Sequence, residues 1–310
     1  MAVDRPFMGI EIGGTKLQIV TGTAEGKILT RHRFQVDKEE GAAGIKSKIE
    51  QTIAGNYRKN IQSVGIGFGG PVNWRTGQVA TSFHVEGWSD FNLIEWLSPI
   101  VEAPVFLDND ANVAAFGEAM IGAGRGYKLV LYITIGSGIG GGLIIDQEIY
   151  HGAIPGEVEI GHLQINRMGE TFQDLCSGWG IDERIRKQIQ ADPSAALARL
   201  VGNQHSGEAK FLKAAIDEGD RGAVALYQEI INDIAFGLSH AIHLFHPDIV
   251  VIGGGFSLVG ESLETGLQQQ LPAYLMKAFC PGPVIRLAGL KEDSVPVGAL
   301  LLAAQRTSKK

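Results

Sequence analysis

Apolar and polar positions alternate along the chain in two rhythms, and the change of rhythm marks the elements. Strand-like runs at about 7 to 12, 16 to 22 and 28 to 36 form a meander whose second hairpin closes at Ala24-Glu25-Gly26-Lys27. Over about 41 to 54 the period lengthens. Ile45, Ile49 and Ile53 recur at the spacing of a helix's buried stripe before Gly55-Asn56 stops it. A strand at 63 to 68, a helix at about 91 to 102, a strand at 105 to 108 and a helix from Ala111 to about Gly122 complete one α/β lobe. The strand–turn–strand pattern then restarts near 136. Helices fill most of 174 to 246, and a strand follows at 248 to 252. From Gly222 to His246, Ile230, Ile234, Leu238, Ile242 and Phe245 fall on one stripe, which reads as a core or dimer helix.

Three strands run straight into glycine. Met8 to Ile12 enters Gly13-Gly14-Thr15-Lys16, Val130 to Ile135 enters Gly136-Ser137-Gly138, and Ile249 to Ile252 enters Gly253-Gly254-Gly255. Without a Cβ, backbone N–H groups can close on an anion and form a nest for phosphate oxygens. After the first two turns the pattern stays β-like, in Leu17-Gln18-Ile19-Val20 and Leu143-Ile144-Ile145, so neither opens a helix. That order excludes the Rossmann and P-loop arrangements, which need strand, glycine loop and then helix. Two half-similar lobes, each opening on a phosphate hairpin, imply a nucleotide cleft between them.

Composition narrows the picture further. The chain has 310 residues, 45% hydrophobic, enough for two lobes. Its formal net charge is -7 and no Lys/Arg block stands out, so nucleic acid is not an expected partner. The first residues lack an apolar signal core and no apolar run approaches about 18 residues, so a cytoplasmic protein without a membrane partner is expected. Cys176 and Cys280 stand far apart with no C-x-x-C spacing and read as buried thiols, neither disulfide nor metal ligands.

Two polar clusters carry candidate chemistry. In Val105-Phe106-Leu107-Asp108-Asn109-Asp110-Ala111-Asn112 a buried strand delivers acids to the start of a helix, with Asp110 at about the N-cap. Asp110 can be a cap alone or a general base, and Asp108 competes for the second role because strand periodicity puts both acids on one face. The other cluster is Glu157-Val158-Glu159-Ile160-Gly161-His162. Carboxylates and a histidine suit a polyhydroxyl acceptor, and one carboxylate can take the proton of an attacking hydroxyl. Taken alone, His162 would read as a satisfied core histidine; within this cluster it reads as a ligand. Glu157 reads as a solvated neighbour.

In order, Glu11-Ile12-Gly13-Gly14-Thr15-Lys16, Gly69-Gly70-Pro71-Val72, Asn109-Asp110-Ala111-Asn112 with Gly117-Glu118-Ala119, Thr134 to Gly142, Glu159-Ile160-Gly161-His162 and Gly253-Gly254-Gly255 resemble the ROK group of sugar kinases and regulators. The resemblance runs from about Gly9 to about Ala303. It implies the two-lobed actin-like ATPase (ribonuclease H-like) α/β fold, with lobes at 1–120 plus 295–310 and at 121–294. It further implies ATP phosphates on Gly13, Gly14, Thr15, Lys16, Gly136, Ser137 and Gly138, adenosine by Gly253, Gly254 and Gly255, and magnesium held through water by Glu11. Asp110 is the implied base. Gly70, Asn109, Asp110, Glu159 and His162 are implied sugar contacts, and the whole is implied to form a homodimer.

The chain departs from that pattern at four places. Glu11 stands where Asp is more usual, and Ser137 where Thr is. His84-Val85-Glu86-Gly87-Trp88 replaces an Asn-Leu-x-x-Trp-like stretch near the sugar pocket. After His162 the three-cysteine zinc loop is missing: Leu163 to Phe172 holds no Cys, and Gln173 falls where a sugar-binding Glu is expected. Gln173 reads equally as pocket residue or helix cap. No structural zinc is therefore expected, and His162 should be oriented by hydrogen bonds to its neighbours, with Gln173 and Asp174 as candidates. The expected activity is ATP-dependent phosphorylation of a glucose-like hexose at C6. Fructose, mannose and N-acetylated amino sugars are alternative acceptors, and polyphosphate an alternative donor. A non-catalytic sugar-sensing regulator is the rival; repressors of this group carry a helix-turn-helix ahead of the first glycine turn, for which Gly13 leaves no room.

Overall fold

The computed structural model describes residues 5–82, 85–154, 156 and 158–309, so His84 and Glu157 lie outside the described residues. In chain order the strands and helices are β1 Phe7–Ile12, β2 Lys16–Gly22, β3 Ile28–Gln35, α1 Gly41–Asn56, β4 Val64–Phe68, β5 Val72–Asn73, β6 Gln78–Val79, α2 Leu93–Val101, β7 Val105–Asn109 and α3 Asp110–Ile121. They continue with β8 Leu129–Ile135, β9 Ile139–Ile145, β10 Glu148–Ile149, α4 Phe172–Cys176, α5 Gly178–Ala191, α6 Ala196–Val201 and α7 Leu212–Asp217. Last come α8 Arg221–Phe245, β11 Ile249–Gly253, α9 Glu261–Gln270, β12 Val284–Leu287 and α10 Ser294–Ser308. The chain divides into one unit of residues 1–128, 142–157 and 289–310 and another of 129–141 and 158–288.

In the first unit a five-stranded sheet runs β3-β2-β1-β4-β7. The meander β1–β2–β3 is antiparallel, whereas β1, β4 and β7 are parallel, with Ile12 level with Phe68 and Phe68 with Asn109. Parallel strands are covered on both faces, and β1 is buried at every residue, Glu11 included. The edge strand β3 is instead half-buried only at Ile28, His32 and Phe34 and carries exposed Arg31 and Arg33, charges of the kind that keep an edge from pairing. On α1 the stripe of Ile45, Ile49 and Ile53 is buried in the core with Met8, Ile10, Leu17 and Leu107.

The last helix completes this unit. A Cβ at Gly9 would lie 2.7 Å from the Pro296 carbonyl oxygen, and one at Gly65 would collide with that of Ala299. At Gly298 a Cβ would strike the Val113 carbonyl. Glycine therefore lets α10 sit backbone to backbone on β1, β4 and α3. Buried Glu118 fastens the junction, accepting from Ala123 N and Gly289 N on Oε2, and from Leu290 N and Ser294 Oγ on Oε1, at 2.8 to 2.9 Å.

In the second unit β8, β11 and β12 are parallel neighbours, Gly253 level with Thr134. On α8, Ile230, Ile234, Leu238 and Ile242 are fully buried, so the stripe read from the sequence is spent in this unit's own core. The two-residue strands β5, β6 and β10, and β12, escaped the pattern because each is too short or too irregular to show a period.

Candidate active site

Parallel strands gather functional loops at their carboxyl ends, and here three such ends meet. The chain leaves β1 at Gly13, whose N–H donates to Lys16 O at 3.0 Å, while Gly69 N, leaving β4, donates to Ile12 O at 2.8 Å. Glu11, 6% exposed, takes Lys16 Nζ at 3.1 Å on one carboxylate oxygen and Gln18 Nε2 at 2.7 Å on the other. Gln18 Oε1 in turn accepts from Arg31 and Arg33, each at 3.2 Å. Burial raises the Glu11 carboxyl above its ordinary range, and the Lys16 charge pulls it partly back.

At the end of β7 the acids separate. Asn109, not Asp110, is the N-cap of α3: its backbone is extended, and its Oδ1 accepts from Ala111 N at 2.9 Å and Asn112 N at 3.3 Å. Its Nδ2 donates to Gly70 O at 3.2 Å. Asp110 is the first helical residue, which corrects the N-cap placement read from the sequence. Strand alternation ends with β7 at Asn109, so the strand period does not set the direction of Asp110. Asp108, 2% exposed, turns inward; Asp110 stays partly exposed. A Cβ built on Gly69 would lie 3.2 Å from Asp110 Oδ2, 3.3 Å from Ile12 O and 3.5 Å from Gly13 Cα. The Asp110 carboxylate therefore stands beside the first glycine turn.

The Asp108 carboxylate is fully engaged. Its Oδ1 accepts from Asn109 N and Asn112 Nδ2, each at 2.9 Å, and its Oδ2 pairs with His151 Nε2 at 2.8 Å. Neither His151 nor Trp74, stacked on its ring at 4.2 Å between centroids, was singled out in the sequence. His151 lies 43 residues beyond its partner in an irregular stretch, and no local pattern marks it.

In the second unit the glycine turns after β8 and β11 are neighbours. Gly136 N donates to Gly138 O at 2.9 Å, and Gly178 N, opening α5, donates to Gly136 O at 2.7 Å. Ser137 is exposed. Gly254 has φ +82°, and a Cβ there would collide with the backbone of Ile135, whereas Gly255 faces open space. Gln173 reaches this corner. Its Oε1 lies 3.4 Å from the Cβ position of Gly138 and 3.3 Å from that of Gly161. The helix-cap alternative for Gln173 fails because Thr171 caps α4 in a reciprocal box with Asp174, at 2.8 and 2.6 Å to Asp174 Oδ2.

Glu159 precedes a 3-10 turn over Ile160–His162. Its carboxyl is raised by crowding on its inner side, although much of the residue is exposed, and the His162 ring opposes that shift. His162 is exposed, which removes the core-histidine reading. Among the described residues no hydrogen bond joins its ring to Gln173 or Asp174, contrary to expectation; the Asp174 carboxylate is spent on Thr171. Between them, 163–172 folds as a hairpin. Ile165 N donates to Glu170 O at 2.9 Å and Phe172 N to Leu163 O at 2.8 Å, and Asn166 bonds Met168 N and the Glu170 backbone and side chain. Cys176 is fully buried, as expected, which pushes its thiol up out of reach of ionisation; Cys280 is exposed, which corrects the expectation of a buried thiol there, because it lies in an irregular turn before Pro281.

Over residues 7–306 the chain matches the ROK family. It is 30% identical to the glucokinase of Halalkalibacterium halodurans, across 98% of this chain and 96% of that protein. A crystal structure of a ROK family glucokinase from Streptomyces griseus, in complex with glucose and AMPPNP, superposes with a TM-score of 0.84 at 29% identity, covering 97% of this chain and 99% of that one. The xylose repressor of Caldicellulosiruptor bescii is 25% identical over 96% of this chain and 77% of its own length. The chain belongs to the ROK family. It is a sugar kinase with the two-lobed, actin-like fold of its structural neighbours.

Proposed function

We propose that the chain transfers the γ-phosphoryl group of ATP to a hexose, glucose or a near relative, at the C6 hydroxyl, with Asp110 as general base. The observation that carries this reading is the position of Asp110 Oδ2 beside Gly69 and Gly13, at the edge where the first phosphate turn leaves its strand. Asp110 takes the hydroxyl proton as the sugar oxygen attacks γ-phosphorus in line; the bond to the bridging oxygen breaks and ADP leaves. Asp108 is unsuited to that task because it is buried and its carboxylate already holds three donors.

Gly70, Asn109, Glu159, His162 and Gln173 supply the polar groups for the sugar hydroxyls. The turns Gly13 to Lys16 and Gly136 to Gly138 receive phosphate oxygens on their backbone N–H groups other than those of Gly13 and Gly136, which close the turns themselves, with the Lys16 ammonium and the exposed Thr15 and Ser137 hydroxyls beside them. Gly253 to Gly255 flank the adenosine. Magnesium takes oxygen ligands and keeps several waters, needing one or two carboxylates besides the nucleotide. Glu11 is a carboxylate of that type in the right strand, and the bound ion would neutralise phosphate charge. The likeness to the S. griseus glucokinase bound to AMPPNP supports ATP as donor. A cytoplasmic homodimer completes the proposal; among the described residues no helix is long and apolar enough to cross a membrane.

The test is sugar-dependent ADP release over glucose, fructose, mannose and N-acetylated amino sugars, repeated with polyphosphate in place of ATP. Turnover greatest with ATP and glucose or its close relatives is expected. Silence on every sugar by folded protein rejects the kinase, and sugar binding without turnover selects the regulator.

A further inference from the structure

Two residues outside the proposed machinery form a buried assembly behind it. Asp108 has little exposure, 2%, and its side chain organises the start of α3 from below: Oδ1 fixes the Asn109 amide and the Asn112 side chain. Asn109, so held, presents its own Oδ1 to the amides of Ala111 and Asn112. Asp110 lies between these fixed points. Among the described residues, the other carboxylate oxygen, Oδ2, meets His151 Nε2 at 2.8 Å, with the imidazole 9% exposed. A buried carboxylate oxygen deprived of its donor is costly, so loss of His151 would favour a shift of Asp108 toward another donor or water. The amide of Asn109 and the first turn of α3 would move with it.

His151 is itself braced. Trp74, in the turn between β5 and β6, stacks on the imidazole with an interplanar angle of 24°. Arg306 of α10 and Arg75 lie over the indole at 5.1 and 5.0 Å. The stretch leading to His151 is tied to α10 as well, through Gln305 to the Gln147 carbonyl at 3.2 Å and Lys309 to Glu148. Every element in this brace belongs to the first unit. Such a framework does more than fill space, since it delivers one N–H to one oxygen of a carboxylate whose other oxygen holds the amide of the residue just before the base and the side chain of Asn112.

We propose that His151 is a positioning residue: its Nε2–H, acting through Asp108, holds Asn109 and the first turn of α3 so that Asp110 meets the acceptor hydroxyl in register. The proposal rests on the kinase reading. Misplacement of a catalytic group by about 1 Å can cost on the order of 100-fold in rate, so the effect should fall on kcat with the phosphate contacts unchanged.

The experiment compares the full chain with His151→Leu, which fills the space without a donor, and His151→Gln, which keeps one. With the best hexose, His151→Leu should lower kcat on the order of 10- to 100-fold while the KM for ATP stays within about twofold; His151→Gln should recover most of the loss. Hydrogen exchange of the Asn109, Ala111 and Asn112 amides should accelerate in the leucine variant and not in the glutamine one. An unchanged kcat in His151→Leu, or equal losses in both variants, overturns the proposal. Should His151→Leu not fold, His151→Asn keeps an amide too short to reach Asp108, and wild-type kcat in that variant overturns it equally. If the wild-type chain turns over no sugar, the kinase reading fails by itself, and unaltered exchange at the three amides would then sink the positioning role separately.

Discussion

The corner at Asp108-Asn109-Asp110 and the corner at Glu159, His162 and Gln173 are both polar, yet they are built in opposite ways. In the first, Asp108 is closed around three hydrogen bonds and Asn109 around three more, two of them from helix amides. In the second, Glu159 and His162 are exposed, and the scaffold's hydrogen bonds run beside them, through Thr171, Asp174 and Asn166. The contrast separates two tasks. A group that must meet a reacting atom gains from being fixed beforehand, whereas groups that recognise hydroxyls can leave their bonds to be completed by the ligand.

The largest test of that contrast is Asp110→Asn. Turnover should fall on the order of 10²-fold or more with sugar binding largely kept, because the amide still bonds a hydroxyl. Asp108→Asn should be milder, since an amide there can still accept on Oδ1 while His151 changes tautomer; reversed magnitudes would move the base to Asp108. In the open corner, Glu159→Gln and His162→Ala should act the other way, raising the sugar KM roughly tenfold, as loss of one charge-assisted bond implies, with smaller changes in kcat. Steady-state kinetics at varied sugar checks both, and a pure kcat effect from Glu159 or His162 would erase the distinction.

A third measurement uses pH. Burial raises the folded-state carboxyl of Glu11 above its ordinary 4.5, so the native chain holds that proton longer than the unfolded one. Stability from this group is therefore greatest below about that value and falls as pH rises through the higher folded value. Glu11→Gln removes the dependence. The Tm of the variant minus that of the wild type should grow between pH 4 and pH 7, and a constant difference would show that burial does not govern Glu11. The smallest expected effect is that of zinc. With 163–172 closed by its own backbone bonds, dialysed protein should contain no stoichiometric zinc, and chelation should cost no activity that magnesium fails to restore. About one zinc per chain, needed for activity, would show that the open corner is metal-braced after all.

Much of the frame was legible because it is periodic. The meander, the Ile45–Ile49–Ile53 stripe, the strand into Asp108 and the α8 stripe each declare themselves by spacing, and glycine marks the turns by removing a Cβ. What stayed hidden depends on where the chain changes geometry or closes at long range. Strand alternation cannot be carried past Asn109, where the backbone turns helical, so the sequence pattern puts the helix start one residue later than the fold does and makes Asp110 the cap in place of Asn109. His151 could not be found because only folding brings it to Asp108. Gln173 was ambiguous until Thr171 took the capping role, a pairing with Asp174 that the sequence already offered in Thr171-Phe172-Gln173-Asp174.

The packing of α10 has a consequence for the making of the protein. Residues 294–308 cover glycine faces on β1, β4 and α3 that were synthesised far earlier, and Glu118 has to wait for Gly289, Leu290 and Ser294 before its carboxylate is filled. On the ribosome the second unit can assemble while the first stands open on that side, its apolar surface available to chaperones or to aggregation. The helix bearing Asp110 gains its final support only when α10 docks, so activity has to wait for residues 294–308 to be made and not merely for the residue that performs it.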